Sequence, residues 1–141
     1  MGIQVKILKT PDTLEDAFSI REKVFIKEQG FQNEFDDTDM VSWHAVAYEG
    51  KKPVACGRLF QKEAGTYAVG RVAVCRAFRG QHLGELIMNS LEAQAKRLGA
   101  KEIELSAQCR AAGFYERLGY EAEGEEYLDE FCPHIQMKKK L

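Results

Sequence analysis

The stretch Arg71-Val72-Ala73-Val74-Cys75-Arg76-Ala77-Phe78-Arg79-Gly80-Gln81-His82-Leu83-Gly84 runs from a β-branched strand through a basic, glycine-containing turn into the start of an apolar-periodic helix. A strand that ends in such a turn leaves backbone N–H groups unpaired. The first turn of the following helix adds more of them, backed by the positive end of the helix dipole. The layout is an anion cradle. Beyond it, Leu83, Leu86, Ile87, Leu91, Ala95 and Leu98 recur at helical spacing up to Gly99, and Ile103 and Leu105 alternate in a short strand over 101–106. A strand, a helix and a strand in this order predict a right-handed crossover, which makes the two strands parallel.

Upstream of the cradle, residues 3–8 alternate as a strand, and Thr10-Pro11-Asp12 starts a helix with Thr10 as N-cap and Pro11 at its first position. Leu14, Ala17, Phe18, Val24 and Phe25 give that helix a core face, and it should fade near Gln29-Gly30. Residues 31–39 mix Phe31 and Phe35 with Glu34, Asp36, Asp37 and Asp39 and show no period, so they read as a loop with a turn of helix at most. Such a loop either attracts a cationic substrate or is simply a solvated acidic surface. Residues 41–48 and 53–60 form a hairpin, and Gly65-Thr66 closes a second one into residues 67–75, giving an antiparallel meander.

Downstream, 109–118 is a short helix stopped by Gly119, 120–123 resumes an extended chain, and 121–130 is strongly acidic. Residues 133–138 form a last strand with Ile135 and Met137 inward, and Lys138-Lys139-Lys140 reads as a solvated end. The predicted architecture is a single domain over 1–141 of the α/β (α+β) type. It has a mixed, mostly antiparallel central sheet with one parallel βαβ crossover and helices on both faces. Ligands of such sheets bind at the carboxyl ends of the parallel strands.

A chain of 141 residues with 45% hydrophobic residues can bury a core unaided, and its net charge of −2 gives no general attraction to nucleic acid or to an acidic membrane. No apolar run has the length of a membrane span, and the first residues alternate instead of forming a signal-peptide core, so a cytoplasmic protein is expected. Cys56, Cys75, Cys109 and Cys132 have no CxxC pairing and no histidine at ligand spacing. They read as small core residues, and no metal is expected.

Val72-Ala73-Val74 followed by Arg79-Gly80-Gln81-His82-Leu83-Gly84 resembles the acyl-CoA signature of the GNAT superfamily of N-acetyltransferases, Arg/Gln-x-x-Gly-x-Gly/Ala. Gly113-Phe114-Tyr115-Glu116-Arg117-Leu118-Gly119-Tyr120 is similar to that family's second motif, Phe-Tyr-x-x-x-Gly-Tyr/Phe. The two motifs are separated by one helix and one strand, as the family requires. His82 departs from the pattern by standing where the central glycine usually lies.

The resemblance implies direct transfer of an acetyl group from acetyl-CoA to an amine in a ternary complex. Val72, Ala73, Val74, Arg79, Gly80, Gln81, His82, Leu83, Gly84 and Phe114 would bind coenzyme A, and the N–H of Val74 would polarise the thioester carbonyl. Tyr115 would be the general acid, with Tyr120 left to packing. An amine with a pKa near 10 arrives protonated and needs a base. Glu28 is the first candidate, with Glu34, Asp36, His44 and His134 behind it, or a water chain to any of them. Glu34, His44 and His134 are also candidates for holding the acceptor, a small molecule or a peptide. A covalent route through Cys109 at a helix start is the less favoured chemistry. A homodimer through the last strands is what family analogy offers, and a CoA-binding module without catalysis is the alternative function.

Overall fold

A computed structural model describes residues 2–9 and 11–141, without the side chains of Pro11 and Asp12. The expected cap at Thr10 lies outside the described residues. Seven strands, β1 (Ile3–Leu8), β2 (Trp43–Glu49), β3 (Lys52–Glu63), β4 (Thr66–Val74), β5 (Glu102–Gln108), β6 (Glu121–Asp129) and β7 (Cys132–Lys140), form one sheet. Their order is β1-β2-β3-β4-β5-β7-β6. Only β4 and β5 pair in parallel, as the crossover requires, and the other neighbours are antiparallel. The predicted mixed sheet is therefore what the chain forms. No helix among the described residues is long and apolar enough to cross a membrane.

The helix α2 (Leu83–Arg97) is the crossover, and it turns Leu83, Ile87, Met88, Leu91 and Ala95 into the sheet against Leu59, Val69, Ile103, Leu105 and Met137. Burial of each larger side chain of this kind contributes about 1.5–3 kcal/mol. The close packing has a local requirement at Gly57, where a Cβ would lie 2.8 Å from both Ile87 Cγ2 and Leu91 Cδ1. The opposite face is covered by α1 (Pro11–Arg21), which continues through a π-helical segment, Glu22–Glu28. Ala17, Ile20, Val24 and Phe25 pack there on Val46, Cys56 and Ala73. A third helix, α3 (Ala112–Arg117), follows β5 after a single 3-10 turn.

Two features of β4 make room for a ligand. Its pairing with β5 runs from Thr66↔Glu102 to Val69↔Leu105 and stops there, so the two strands part towards their carboxyl ends. On its other side Arg58 pairs with Gly70 and Cys56 with Ala73, so Arg71 and Val72 together oppose the single Gly57. This bulge bends the strand, and Arg71 takes a φ of 54° within it. The result is a wedge between β4 and β5.

Three stretches depart from the sequence expectation. The acidic segment 121–130 is mostly strand β6, exposed along its whole length at the sheet edge. With neither face buried it carries no apolar alternation. The lysine run belongs to β7, where Lys138 approaches Glu104 and Glu123, and Lys139 Nζ donates to Glu92 Oε1 at 2.9 Å. It is not a solvated tail.

In the loop at 31–39, Glu34, Asp36 and Asp39 are paired with arginines and not simply solvated. Arg21, 1% exposed, donates through Nε to Glu34 Oε2 at 2.9 Å and through Nη1 to Asp39 Oδ1 at 2.6 Å. Arg58 Nη1 reaches Asp36 Oδ1 at 2.7 Å and Asp39 Oδ1 at 2.9 Å. Arg71 Nε lies 3.0 Å from Glu34 Oε2. Guanidinium groups from α1, β3 and β4 thus neutralise the carboxylates and pin the loop to the sheet.

Candidate active site

A cavity of about 990 Å³ fills the wedge. Its wall includes Val72, Ala73 and Val74 of β4, Arg79, Gly80, His82, Leu83 and Gly84 of the turn and the start of α2, and Phe114 and Tyr115 of α3. Phe31, Glu34, Arg58, Ser106, His134 and Gln136 also line it. The two sequence motifs therefore meet across one space, as their spacing led us to expect. Within the motif stretch 79–84, Gln81 alone is absent from the wall.

The β4 edge offers donors to that space. Cys75 N–H donates back to Val54 O on β3 at 2.9 Å, and successive N–H groups of a strand point to opposite edges. The N–H of Val74 therefore points to the parted edge, away from β3. The Val74 carbonyl accepts from Arg79 Nε at 3.0 Å, which folds the turn back onto the strand.

At the turn, Gly80 has a φ of 81° and no atom within 4 Å of where its Cβ would be. The next helix starts without a side-chain cap; His82 is its N-cap residue, with φ 61° and ψ 24°, and its carbonyl accepts from Leu86 N–H at 3.1 Å. The N–H groups of Leu83, Gly84 and Glu85 are left for another acceptor. Gly84 lets the ring of Phe114 close on the helix, since a Cβ there would stand 3.2 Å from its Cζ. These open N–H groups fit a pyrophosphate, and Arg79 beside them supplies a cation. The His82 side chain is 87% exposed and lies 3.6 Å from Glu85 Oε2. A glycine suits this position because the backbone is left-handed.

Tyr115 packs edge-on to Phe114 at 5.0 Å and to Tyr120 at 6.0 Å. Burial alone pushes its hydroxyl up to about 12, and that hydroxyl has no hydrogen-bond partner among the described residues. It stays protonated and free to donate into the cavity. Tyr120 is committed elsewhere, donating to Glu92 Oε2 at 2.9 Å, in keeping with a packing role.

Of the base candidates, Glu28 stands outside the cavity wall. Arg79 Nη1 and Nη2 grip it at 2.7 and 2.8 Å, and that contact holds its carboxyl below the usual carboxylate range. The pair corrects the expectation for Glu28, since a carboxylate so stabilised is a poor proton acceptor. His44 is corrected too. It is 2% exposed, bonds through Nε2 to Asp39 O at 2.9 Å, and is driven towards its neutral form by burial, away from the cavity. Asp36 is bound by Arg58 and Arg71 and is likewise not part of the wall.

Glu34 does reach the cavity. Burial raises its pKa while Arg71 and Arg21 oppose that rise, and its Oε2 already accepts from Arg21. His134 also lines the cavity and is 6% exposed. Cys109 is no nucleophile in waiting, because desolvation and the neighbouring Glu126 push its thiol up. Arg58, Arg71, Ser106 and Gln136 were not anticipated at the site, and no local motif surrounds any of them.

The fold defines a class, the acyl-CoA-dependent transferases built on a mixed sheet. Residues 10–141 match the acetyltransferase (GNAT) domain family, and the chain belongs to it. It is 40% identical over 136 residues to the uncharacterized N-acetyltransferase YjcF of Bacillus subtilis, with 94% of this chain and 96% of that protein covered. The crystal structure of an acyl-CoA N-acyltransferase from Pseudomonas aeruginosa superposes with a TM-score of 0.88 at 28% identity, over 98% of this chain and 99% of that one. Escherichia coli ElaA superposes with a TM-score of 0.87 at 26% identity, over 98% and 99% of the two chains. The chain is an acyl-CoA-dependent N-acyltransferase, its co-substrate is of the CoA type, and its acceptor is an amine.

Proposed function

We propose that the protein moves the acetyl group of acetyl-CoA to the amine of a small molecule or peptide by direct attack in a ternary complex. The observation that carries this reading is the convergence on one cavity of the outward Val74 N–H, the uncapped start of α2 and the unbonded Tyr115 hydroxyl. The N–H groups of Leu83, Gly84 and Glu85 with Arg79 bind the pyrophosphate, and Phe114 closes over the helix start. Val74 N–H donates to the thioester oxygen, where charge builds during attack. The amine nitrogen forms a bond to the carbonyl carbon as the carbon–sulfur bond breaks. Tyr115 gives its proton to the leaving sulfur and regains one shed by the nitrogen.

Incubating the protein with acetyl-CoA and a panel of amines, and following free thiol, tests the reading. Amine-dependent thiol release and an acetylated product are expected. Binding of CoA without such release across the panel overturns catalysis in favour of a binding module, and absence of CoA binding overturns both.

A further inference from the structure

We propose that His134 is the general base that takes the proton from the acceptor amine, an inference that rests on the acyltransferase reading above. The imidazole stands on β7 opposite Gln108 of β5 and lines the cavity beside Phe31, which packs among the residues of the α1 side of the sheet. Its Nδ1 lies 2.9 Å from Cys132 O. A carbonyl can only accept, so Nδ1 carries a hydrogen, and in the uncharged ring the lone pair is on Nε2.

Nε2 makes no hydrogen bond among the described residues. The sole buried side-chain nitrogen or oxygen there without a partner is Arg58 Nε, so Nε2 of this otherwise buried residue is open to the cavity. The ring cannot turn freely. Tyr127 stacks on it at 6.1 Å and 28°, Phe31 meets it edge-on at 6.3 Å, and Tyr127 is itself tied to Ser106 through their hydroxyls. An imidazole held in orientation, with Nε2 unbonded and open to the cavity, is what proton abstraction needs.

The other candidates lack this combination. Glu28 and Asp36 lie outside the wall, His44 is sealed in the core, and Glu34 accepts from Arg21 and faces Arg71. Nε2 of His134 takes a proton from the ammonium, and the neutral nitrogen then attacks. The proton on the imidazole passes to solvent, so one ammonium and one thioester yield one amide, one thiol and one released proton.

The test uses the whole protein with acetyl-CoA and spermidine, Nα-acetyl-lysine or kanamycin as acceptor. His134→Gln can keep the donor to Cys132 O and should lower kcat by about 10²-fold or more with unchanged CoA binding. His134→Ala should recover rate when imidazole is added, an effect a structural role does not produce. Turnover of His134→Gln within threefold of the parent, or loss of activity in His134→Ala without imidazole rescue, overturns the inference while leaving the acyltransferase reading intact. No turnover by the unsubstituted protein overturns both. Should the variants fail to fold, nitrogen NMR of the parent decides: an Nδ1–H tautomer of His134 is expected, and an Nε2–H tautomer overturns the assignment.

Discussion

Arg79 and Glu28 are joined by two parallel hydrogen bonds of 2.7 and 2.8 Å, linking the phosphate turn to the end of the π-helical segment 51 residues earlier. The carboxylate fixes a guanidinium that lines the cavity. Glu28→Gln should therefore raise KM for acetyl-CoA about 2–5-fold, in line with a partly exposed pair worth under about 1 kcal/mol, and leave kcat nearly unchanged. A collapse of kcat at unchanged KM in steady-state assays would return Glu28 to the role of base.

Tyr115→Phe removes the only hydroxyl proposed to protonate the leaving sulfur. It should lower kcat about 10²-fold while acetyl-CoA affinity, measured calorimetrically, stays the same. Because burial pushes this hydroxyl up to about 12, the acid stays protonated throughout the neutral range. The kcat profile of the parent should thus show no alkaline fall from this group below about pH 10.

Asp39 lies between Arg21 and Arg58, and removing its charge strands two buried cations. Asp39→Ala should cost about 3–5 kcal/mol in urea or thermal unfolding. The pairs lower the pKa of Asp36 and Asp39 in the folded state, although desolvation works against them. The stability they contribute is present above the ordinary aspartate range and is lost as pH falls through the lower folded values. Glu34, raised by burial, has the opposite sign and softens the loss. Circular dichroism melts from pH 2 to 7 should show Asp39→Asn losing its acid sensitivity relative to the parent.

His82 pays a conformational cost that glycine would not, and its exposed imidazole lies 3.6 Å from Glu85. His82→Gly should raise unfolding free energy by about 0.5–1 kcal/mol and preserve or tighten CoA binding. Weaker binding, seen by titration calorimetry, would show that the imidazole contributes to the phosphate site.

The crossover and the two motifs could be read from the chain because each is local: the period of α2, the alternation of β5 and the Phe114-Tyr115 pair all lie within short windows. The acceptor end could not. Arg21, Arg58 and Arg71 meet the carboxylates of residues 34–39 across separations of 13 to 37 residues, which no window captures. Only the first residues of β6 could be read as extended, because an edge strand with both faces in water carries no hydrophobic period. The lysines of β7 were missed because their aliphatic stems can lie along a sheet while their charges find Glu92, Glu104 and Glu123. His134 was among the candidates, but its tautomer depends on a carbonyl two residues away and could not be known from its place in a strand.

Strand β7 follows β6 in the chain yet lies between β5 and β6 in the sheet. During synthesis, β5 therefore waits with a bare edge until residues 132–140 have been made, and β6 has nothing to pair with before then. The strand that carries His134 is laid last. A chain cut before Cys132 would keep the phosphate turn and α2 but lack both His134 and the partner of β6, so the proposed CoA site and the proposed base belong to stretches of the chain made at different times.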